Sequence, residues 1–509
     1  MKKIKYIAIG LLIAMSGCSD FLNINNNPNA PAQSVPDPVL AGALAATANI
    51  MAGGTAAFAP YWAGYWAASG TYSSAGNVTQ NFKIQTSSFG QAPWGGIYLN
   101  MANYTFVENT AGKGFEYYKA IAKIMKVYGY HTLVDCYGKI PYTDSELGFR
   151  NLSPKYDDDR VVYEKLVNKL DSAIAIIQPI LAQGLAATAK VVPKTADVMF
   201  GGDMNKWVRL ANTMKLRLLI RMSNVPSEAA FITSAIASIT ANGAGFLGAG
   251  EDAAINPGYQ KAAGLQNPLW EGNGLGVGGD VGFRDFNRTS EYSRLFFANN
   301  NDPRILRLFR KPSDLPGVNT GTVASDYASI PWGTPPTTQY VSSSTSGMGI
   351  GVMGSPSQSV FFLTAAESFF LQAEAAQRGW LNTGQEQTLY QTGITESFRQ
   401  LGVPSSATAA IAYYTSGKLN VDWSVSADKR QAIIVQKWAA NCSIDAMESW
   451  CDVRRTGFPN VPLSLDPNKG NLAIPTPIRI LYPLIEYTSN PQNIPPNIDL
   501  YTSKVFWNQ

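Results

Sequence analysis

The chain has 509 residues, of which 45% are hydrophobic and only 15% are charged. Removing the three lysines within residues 1–17 would leave 37 basic and 36 acidic residues, so the net charge would fall from +4 to +1. A nearly neutral surface does not attract polyanions over long range, which argues against nucleic acid as a partner. The single histidine, His131, excludes zinc sites built on several histidines and leaves only one candidate base for a Ser-His-Asp centre.

The start of the chain indicates export and attachment to a membrane. Three lysines precede an apolar stretch that is too short to span a bilayer, and small residues follow it, as in a cleavable signal peptide. The stretch "MSGC" is similar to a bacterial lipobox, so we expect residues 1–17 to be a signal peptide and Cys18 to carry the lipid. The alternative is an ordinary signal peptide in which Cys18 has no role. Residues 18–38 are rich in Asn and Pro and predict a tether with little reason to pack.

Amphipathic segments follow along most of the chain. In "FEYYKAIAKIMKVYGYHTLVDCYG", apolar residues recur with the i, i+3, i+4, i+7 spacing of a helix, and we expect His131 to pack there. Thr364 and Glu367 have the spacing of a capping box at the start of another helix. Several helices could pair into hairpins of about 34 residues, the period of tetratricopeptide repeats. Helices are also predicted in "DDDRVVYEKLVNKLDSAIAIIQPIL", "MNKWVRLANTMKLRLLIRMS", "TAAESFFLQAEAAQRGW", "YQTGITESFRQLGV" and "DKRQAIIVQKWAANCSIDAMESWCDVRRTGFP".

The last of these segments contains two cysteines. If it is one continuous helix, Cys442 and Cys451 are about 13 Å apart along its axis, which is too far for a disulfide. We therefore expect Cys136, Cys442 and Cys451 to be small buried hydrophobic residues.

Residues 245–360 differ in composition from the rest of the chain. They are rich in Gly, Pro, Ser and Asn, with scattered aromatic residues. Long loops are uncommon in compact domains unless they carry function. We interpret this region as loops that lie over a helical scaffold and carry the ligand-binding face.

Aromatic residues next to polar loops are the best candidates for ligand contacts. An aromatic ring can cover the apolar face of a sugar while amides bond its hydroxyl groups, and pockets generally combine such walls with a few polar groups. The i, i+4 spacing of Trp62 and Trp66 predicts that they share one helix face, and core packing is the alternative for such residues. The candidate ligand-binding residues are Trp66, Tyr72, Asn77, Trp270, Phe283, Trp332 and Tyr340.

The quoted motifs together resemble one protein family. "CSDFLNINNNPNAP" resembles the mature N-terminus of SusD/RagB-type outer-membrane lipoproteins, and "LVDCYGKIPYTDSELG", "WVRLANTMKLRLLIRMS", "FLTAAESFFLQAEAAQRGW", "QKWAANCSIDAMESWCDVRRTGFP" and "IPTPIRILYPLIEYTSNP" agree along the chain. The resemblance implies a mainly α-helical fold with tetratricopeptide-like hairpins, in a single large domain over residues 39–509. It also implies that Glu367, Arg454 and Arg455 form buried ion pairs rather than ligand contacts.

The same resemblance implies a function. We expect a non-catalytic cell-surface lipoprotein of the outer membrane that binds a glycan and passes it to a SusC-like TonB-dependent transporter. Capture of peptides or another nutrient by the same fold is an alternative, because aromatic and Asn-rich loops suit both kinds of ligand. A surface glycoside hydrolase is a further alternative, although no local stretch singles out an acid and a nucleophile. We predict no cofactor. A structural calcium ion is the alternative, although no specific motif supports it.

Overall fold

The structure is a computed structural model, and it describes residues 35–52, 58–71, 79, 89, 91–110, 112–184, 188–280, 286–335, 337–466 and 476–508. The predicted signal peptide 1–17 and the predicted lipidation site Cys18 lie outside these residues. Among the helices within them, none combines the length and the apolar character that crossing a membrane requires.

Helices dominate the described residues, as the sequence predicts. The α-helices are α1 Pro36–Ala52, α2 Ala59–Trp62, α3 Gln91–Thr110, α4 Glu116–Tyr137, α5 Asp159–Gln183, α6 Met204–Arg221, α7 Ala229–Asn242, α8 Pro268–Asn273, α9 Glu291–Asn299, α10 Ile305–Leu308, α11 Ala365–Gln377, α12 Glu386–Leu401, α13 Ser406–Tyr414, α14 Lys429–Ala440, α15 Ala446–Thr456 and α16 Leu484–Ser489. The short 3₁₀ helices are Gly148–Arg150, Met222–Asn224, Pro226–Glu228, Ala324–Asp326, Thr338–Tyr340 and Ser342–Ser344. The strands are β1 Trp66–Ala68, β2 Ala253–Ile255, β3 Asn287–Thr289, β4 Phe309–Arg310, β5 Gly347–Met348 and β6 Val360–Leu363.

Consecutive helices pack as antiparallel neighbours. Helix α4 packs between α3 and α5, α5 packs on α6, and α6 contacts α11. Helix α11 packs on α12 and α14. The pairs α4–α5, α6–α7, α11–α12 and α14–α15 are the predicted tetratricopeptide-like hairpins, and together they form the helical scaffold. His131 lies in α4 and is buried, so the helix-packing prediction is confirmed.

Local signals define the ends of these helices. Thr364 caps α11, its hydroxyl accepting a hydrogen bond from the Glu367 amide at 3.2 Å. The side chain of Glu367 instead accepts hydrogen bonds from Arg217. The same helix ends at Gln377, two residues before Gly379, whose φ of 73° is left-handed. The predicted stop near Gly379 is therefore confirmed.

Helix α1 overlaps the end of the predicted tether. It starts at Pro36, so residues 36–38 of the predicted tether 18–38 belong to a helix. Proline is tolerated in the first turn because the missing N–H has no partner within the helix there. Leu40 and Leu44 of the same helix are buried, and this packing fixes the first turn.

Two predicted helical arrangements are wrong. Helix α2 ends at Trp62, and Gly64 adopts a left-handed φ of 80°, so Trp66 lies in strand β1 rather than on the same helix face. Likewise, α14 ends at Ala440 and α15 begins at Ala446, so Cys442 lies in the turn between two helices. The three described cysteines, Cys136, Cys442 and Cys451, are buried free thiols, as expected.

Residues 245–360, called the loop layer from here on, contain more regular structure than the predicted loops. Strand β2 pairs with β6, β1 with β3 and β4 with β5, all antiparallel and two-stranded. The β2–β6 pair joins the two ends of the loop layer, with Ala253 opposite Leu363 and Ile255 opposite Val360. The β1–β3 pair fastens the layer to the segment that follows α2.

Buried ion pairs connect the helices of the scaffold. Arg217 of α6 donates two hydrogen bonds to Glu367 of α11, at 2.8 and 2.7 Å. Arg455 of α15 makes a similar bidentate pair with Glu374 of α11, at 2.6 and 2.9 Å. The predicted ion pairs of Glu367 and Arg455 are thus confirmed. The prediction for Arg454 is wrong: its guanidinium lies 3.5 Å from the ring centroid of Trp450 and donates to backbone carbonyls.

Candidate ligand-binding site

A cavity of about 280 Å³ lies between the loop layer and the scaffold. Its walls come from the end of α1, α2, β1, α3, α4, α8, β3, β6 and the turn before α15. We call it the aromatic–amide cavity, and the wall residues that carry the argument are Trp66, Asn267, Asn273, Asn287, Ser443 and Asp445.

The indole of Trp66 forms one wall of this cavity and is held in a fixed position. Its Nε1 donates a hydrogen bond of 2.8 Å to Ser443 Oγ, in the turn between α14 and α15. The ring of Tyr61 meets it edge to face at a centroid distance of 6.0 Å. Pairing with β3 fixes the backbone of Trp66. Because the polar edge of the indole is already bonded, what it offers a ligand is apolar surface.

A chain of amide side chains forms a second wall. Asn287 Nδ2 donates to Asn273 Oδ1 at 2.6 Å, and Asn287 Oδ1 accepts a hydrogen bond from the Tyr61 hydroxyl. Asn273 Nδ2 donates to the Leu269 carbonyl at 3.1 Å. Each amide has two N–H donors and an oxygen with two lone pairs, so these bonds orient both side chains without using all of their capacity. The remaining donors and acceptors can bond hydroxyl groups of a ligand.

Asn267 connects helix α8 to the last part of the loop layer. It caps α8, accepting hydrogen bonds from the amides of Leu269 at 2.8 Å and Trp270 at 3.0 Å. Its Nδ2 donates to the Gln358 carbonyl at 2.7 Å. Asn267 followed by Pro268 is a helix-start signal in the sequence. Asn267, Asn273 and Asn287 were not among the predicted ligand-binding residues. The helix-start signal could have identified Asn267, but it does not mark the other two.

One acidic residue lies at the edge of the cavity. Asp445 caps α15 by accepting from the Glu448 amide at 3.0 Å, and its second oxygen lies 3.3 Å from Arg217. Burial raises the pKa of Asp445, Arg217 opposes this shift, and the nearby Glu448 carboxylate adds to it. The negative charge of Asp445 is therefore directed to the scaffold, and the other polar side chains named in the cavity walls are neutral.

The structure separates the predicted ligand-binding residues. Trp66 lines the cavity, whereas Tyr72, Asn77 and Phe283 lie outside the described residues. Tyr340 is half-buried in a 3₁₀ helix, and its carbonyl accepts a hydrogen bond from the Gly70 amide at 2.8 Å. Of the candidates described, only Trp66 lines this cavity.

Two predicted aromatic residues are packed inside the protein. Trp332 is 4% exposed, against 7% for Trp66, and donates from Nε1 to the Tyr61 carbonyl at 2.7 Å, but unlike Trp66 it does not line the cavity. Trp270 is 6% exposed and donates to the Leu275 carbonyl at 3.0 Å. A Cβ atom at Gly274 would lie 2.6 Å from the Trp270 ring, so the loop presses on the indole. Both rings therefore pack in the protein interior, and neither belongs to the proposed binding site.

The single histidine and the possible metal ligands can be located in the described part of the chain. His131 Nδ1 lies 3.4 Å from Asp135, and its Nε2 has no hydrogen-bond partner among the described residues. In the same residues, no three His, Cys, Asp or Glu side chains are placed to hold a metal ion.

Several solved structures resemble this chain. A chitin-binding protein superposes with a TM-score of 0.74 at 23% identity, over 93% of this chain and 100% of its own. A chitin-binding SusD homologue from Flavobacterium johnsoniae gives a TM-score of 0.74 at 25% identity, over 92% and 98%. A SusD homologue from Bacteroides uniformis gives 0.72 at 25% identity, over 93% and 100%. No curated protein sequence matches the chain significantly.

A family comparison agrees with these structures. Residues 28–483 match the SusD-like family, which is described as "Starch-binding associating with outer membrane". This match includes every scaffold hairpin and the whole loop layer. The resemblance found in the sequence motifs is confirmed, and the chain belongs to the SusD-like family.

Proposed function

We propose that this chain is a lipid-anchored protein of the outer membrane that binds a glycan in the aromatic–amide cavity and delivers it to a SusC-like TonB-dependent transporter. One observation carries the binding part of the proposal. A fixed indole, Trp66, lies in the same cavity as the partly unsatisfied amides of Asn273 and Asn287. Such a pairing of apolar wall and neutral amides matches the two kinds of surface of a sugar ring.

The comparisons support a neutral polysaccharide as the ligand. The family description names starch, and the Flavobacterium johnsoniae relative is described as chitin-binding. Both polymers are uncharged and rich in hydroxyl groups, which agrees with the neutral side chains of the cavity walls. Chitin and starch oligosaccharides are therefore the first ligands to test.

The binding test uses the mature chain cut just after Cys18. Its affinity for chitin oligosaccharides, starch oligosaccharides and a peptide panel is measured by calorimetry. We expect binding of one glycan class, and a loss of at least about fivefold in Trp66→Ala, because an aromatic wall contributes about 1–3 kcal/mol to a stacked ligand. Trp66→Phe retains an aromatic face and should keep most of the affinity.

Trp423→Ala is the matched control, because Trp423 packs on Tyr390 in the scaffold and does not line the cavity. Wild-type affinity in Trp66→Ala would contradict the assigned cavity. Binding heat with peptides and none with glycans would indicate that the function is peptide capture.

The protein is proposed to bind without catalysis and without a cofactor. The purified chain should release no reducing sugar from a bound glycan, and EDTA should leave the affinity unchanged. Sustained product release would replace the proposal with a glycoside hydrolase, and loss of binding in EDTA would indicate a bound cation.

The anchor and the partner are tested in cells. Cys18→Ser should move the protein out of the outer-membrane fraction and abolish labelling by a palmitate analogue. Affinity purification of the wild-type protein from solubilised outer membranes should recover a TonB-dependent transporter. Retention of Cys18→Ser in the membrane would contradict the anchor, and recovery without a transporter would contradict the delivery step.

A further inference from the structure

A second cavity, lined in part by two arginines, lies on the helical scaffold. It has a volume of about 490 Å³ and is formed by the turn before α7, the end of α11 and the start of α14. We call it the arginine cavity. It shares no wall residue with the aromatic–amide cavity. The residues that carry the argument are Ser223, Thr233, Gln377, Arg378, Trp380 and Arg430.

Arg430 has no partner in this cavity. It is exposed, and no described residue forms an ion pair or a hydrogen bond with it. This sets it apart from the arginines of the scaffold core, such as Arg217, Arg221 and Arg455, each of which contacts at least one carboxylate. Arg430 therefore presents its full set of N–H donors to whatever enters the cavity.

Arg378 supplies a second guanidinium that is only partly satisfied. Its Nε and Nη2 donate to one oxygen of Glu374, at 3.1 and 2.8 Å, which leaves Nη1 without a partner among the described residues. Glu374 also binds Arg455, so one carboxylate is shared by two arginines. Arg455 also pairs with Asp452 at 2.9 Å, so among the described residues Arg430 is the guanidinium of this wall without an ion pair.

The two guanidinium groups repel each other across the cavity. Burial lowers the pKa of Arg378, Glu374 opposes that shift, and the positive charges of Arg455 and Arg430 lower it further. A smaller cavity of about 190 Å³ adjoins the first and is also lined by Arg378 and Arg430. Its acidic wall residues are Glu374, which is already engaged, and Asp428, which caps α14. An anion between the arginines would relieve the repulsion.

The remaining walls favour a sugar over a small inorganic anion. The guanidinium carbon of Arg378 lies over one face of the Trp380 ring, 5.5 Å from its centroid, and the indole also lines the cavity. Gln377 makes no side-chain hydrogen bond to a described residue, and the hydroxyls of Ser223 and Thr233, which bond Arg455 and the Ala229 carbonyl, are further wall groups. Planar guanidinium groups match a carboxylate, and the other groups match a ring with hydroxyls.

We propose that the arginine cavity binds the carboxylate of an acidic sugar, a hexuronic acid unit, between Arg378 and Arg430 with its ring against Trp380. This site is separate from the aromatic–amide cavity and does not depend on the function proposed for it. It adds charged glycans, or charged branches of a glycan, to the ligands of the chain.

The test measures binding of D-glucuronate, D-glucose and inorganic phosphate to the mature chain by ligand-observed NMR. Glucuronate should bind at least about tenfold more tightly than glucose, since hydrogen bonds to a charged group contribute about 1.5–3 kcal/mol. Arg430→Ala should weaken glucuronate binding by about the same factor for the same reason. Arg430→Lys keeps the charge but loses the planar fork, and an intermediate affinity is expected.

Arg150→Ala is the matched control, because Arg150 is also exposed and without a partner among the described residues but lies in the 3₁₀ helix Gly148–Arg150. It should bind glucuronate like the wild type. Dependence on Arg430, which does not line the aromatic–amide cavity, separates this proposal from the previous one. Equal affinity in Arg430→Ala, equal binding of glucose, or binding of phosphate without glucuronate would each overturn the acidic-sugar site.

Discussion

The scaffold core and the aromatic–amide cavity use polar groups in opposite ways. In the core, Arg217 and Glu367 satisfy each other with two short hydrogen bonds, away from water. In the cavity, Asn273 and Asn287 are oriented by their neighbours but keep unused donors and acceptors. The difference shows that ion pairs fix how the helices pack, while neutral amides are left available to a ligand. Four predictions test this contrast, in order of decreasing effect on stability.

Breaking the Arg217–Glu367 pair should have the largest effect. Arg217→Met leaves Glu367 buried without its main partner, which we expect to reduce the free energy of unfolding by about 3–5 kcal/mol. The double variant with Glu367→Leu removes one stranded charge and should recover part of the loss, because Asp445 still lacks its contact with Arg217. Urea denaturation monitored by circular dichroism measures both. A single variant as stable as the wild type would mean that this pair does not fix the packing of α6 on α11.

Acid should weaken a second core pair. Burial raises the pKa of Glu374, but Arg455 and Arg378 outweigh this and lower it to about 2, against 4.5 without these neighbours. A depressed carboxyl pKa stabilises the fold above pH 4.5, and this contribution is lost as the pH falls towards 2. The loss should reach about 3 kcal/mol.

Unfolding free energies measured between pH 7 and pH 2 test this prediction. Glu374→Gln should be less stable at neutral pH and show a shallower decline over the acid range. Parallel pH curves for the variant and the wild type would contradict the assignment to Glu374.

A smaller effect is expected at the cavity wall. Asn267→Ala removes the cap of α8 and the hydrogen bond to Gln358, which should cost about 1–2 kcal/mol. Asn267→Asp keeps the capping oxygen and loses only the donor, so it should lie between the alanine variant and the wild type. Thermal denaturation is a sufficient measurement. A loss as large as that of Arg217→Met would remove the proposed difference between the two regions.

The smallest effect is expected for an ion pair at the surface. Lys139 and Asp158 are 3.4 Å apart, and about half of each side chain is exposed. Lys139→Ala should therefore change the free energy of unfolding by less than about 0.5 kcal/mol. If this variant were as unstable as the core variants, burial would not be what separates strong from weak pairs in this protein.

The scaffold was readable from the sequence because its signals are local. Apolar periodicity predicts α4, α5 and α6, and Thr364 marks the start of α11 before any contact is known. The failures lie where one residue breaks a periodic pattern. Gly64 breaks the helical spacing predicted from Trp62 to Trp66. Asp445 caps a new helix after Cys442.

The binding residues were harder to predict because they come from distant parts of the chain. Trp66 meets Ser443 through a hydrogen bond, and Asn287 of β3 meets Asn273 at the end of α8. Nothing local in the sequence distinguishes the buried Trp332 from the cavity-lining Trp66, since both lie near polar, aromatic-rich segments. Strand pairing and helix docking decide which ring faces a cavity.

The pairing of β2 with β6 has a consequence for how this protein can change. Because β2 pairs with β6, the chain enters and leaves the loop layer at the same place. The layer is therefore an insertion whose two ends are joined by this strand pair. After a cut within the layer, the β2–β6 pair would still hold the two pieces together, and the β1–β3 pair would hold the piece that contains β3. Insertions and deletions there need not alter the register of the helical hairpins. Single segments of the loop layer can therefore change by evolution or by grafting, and alter ligand specificity, while the helical scaffold stays the same.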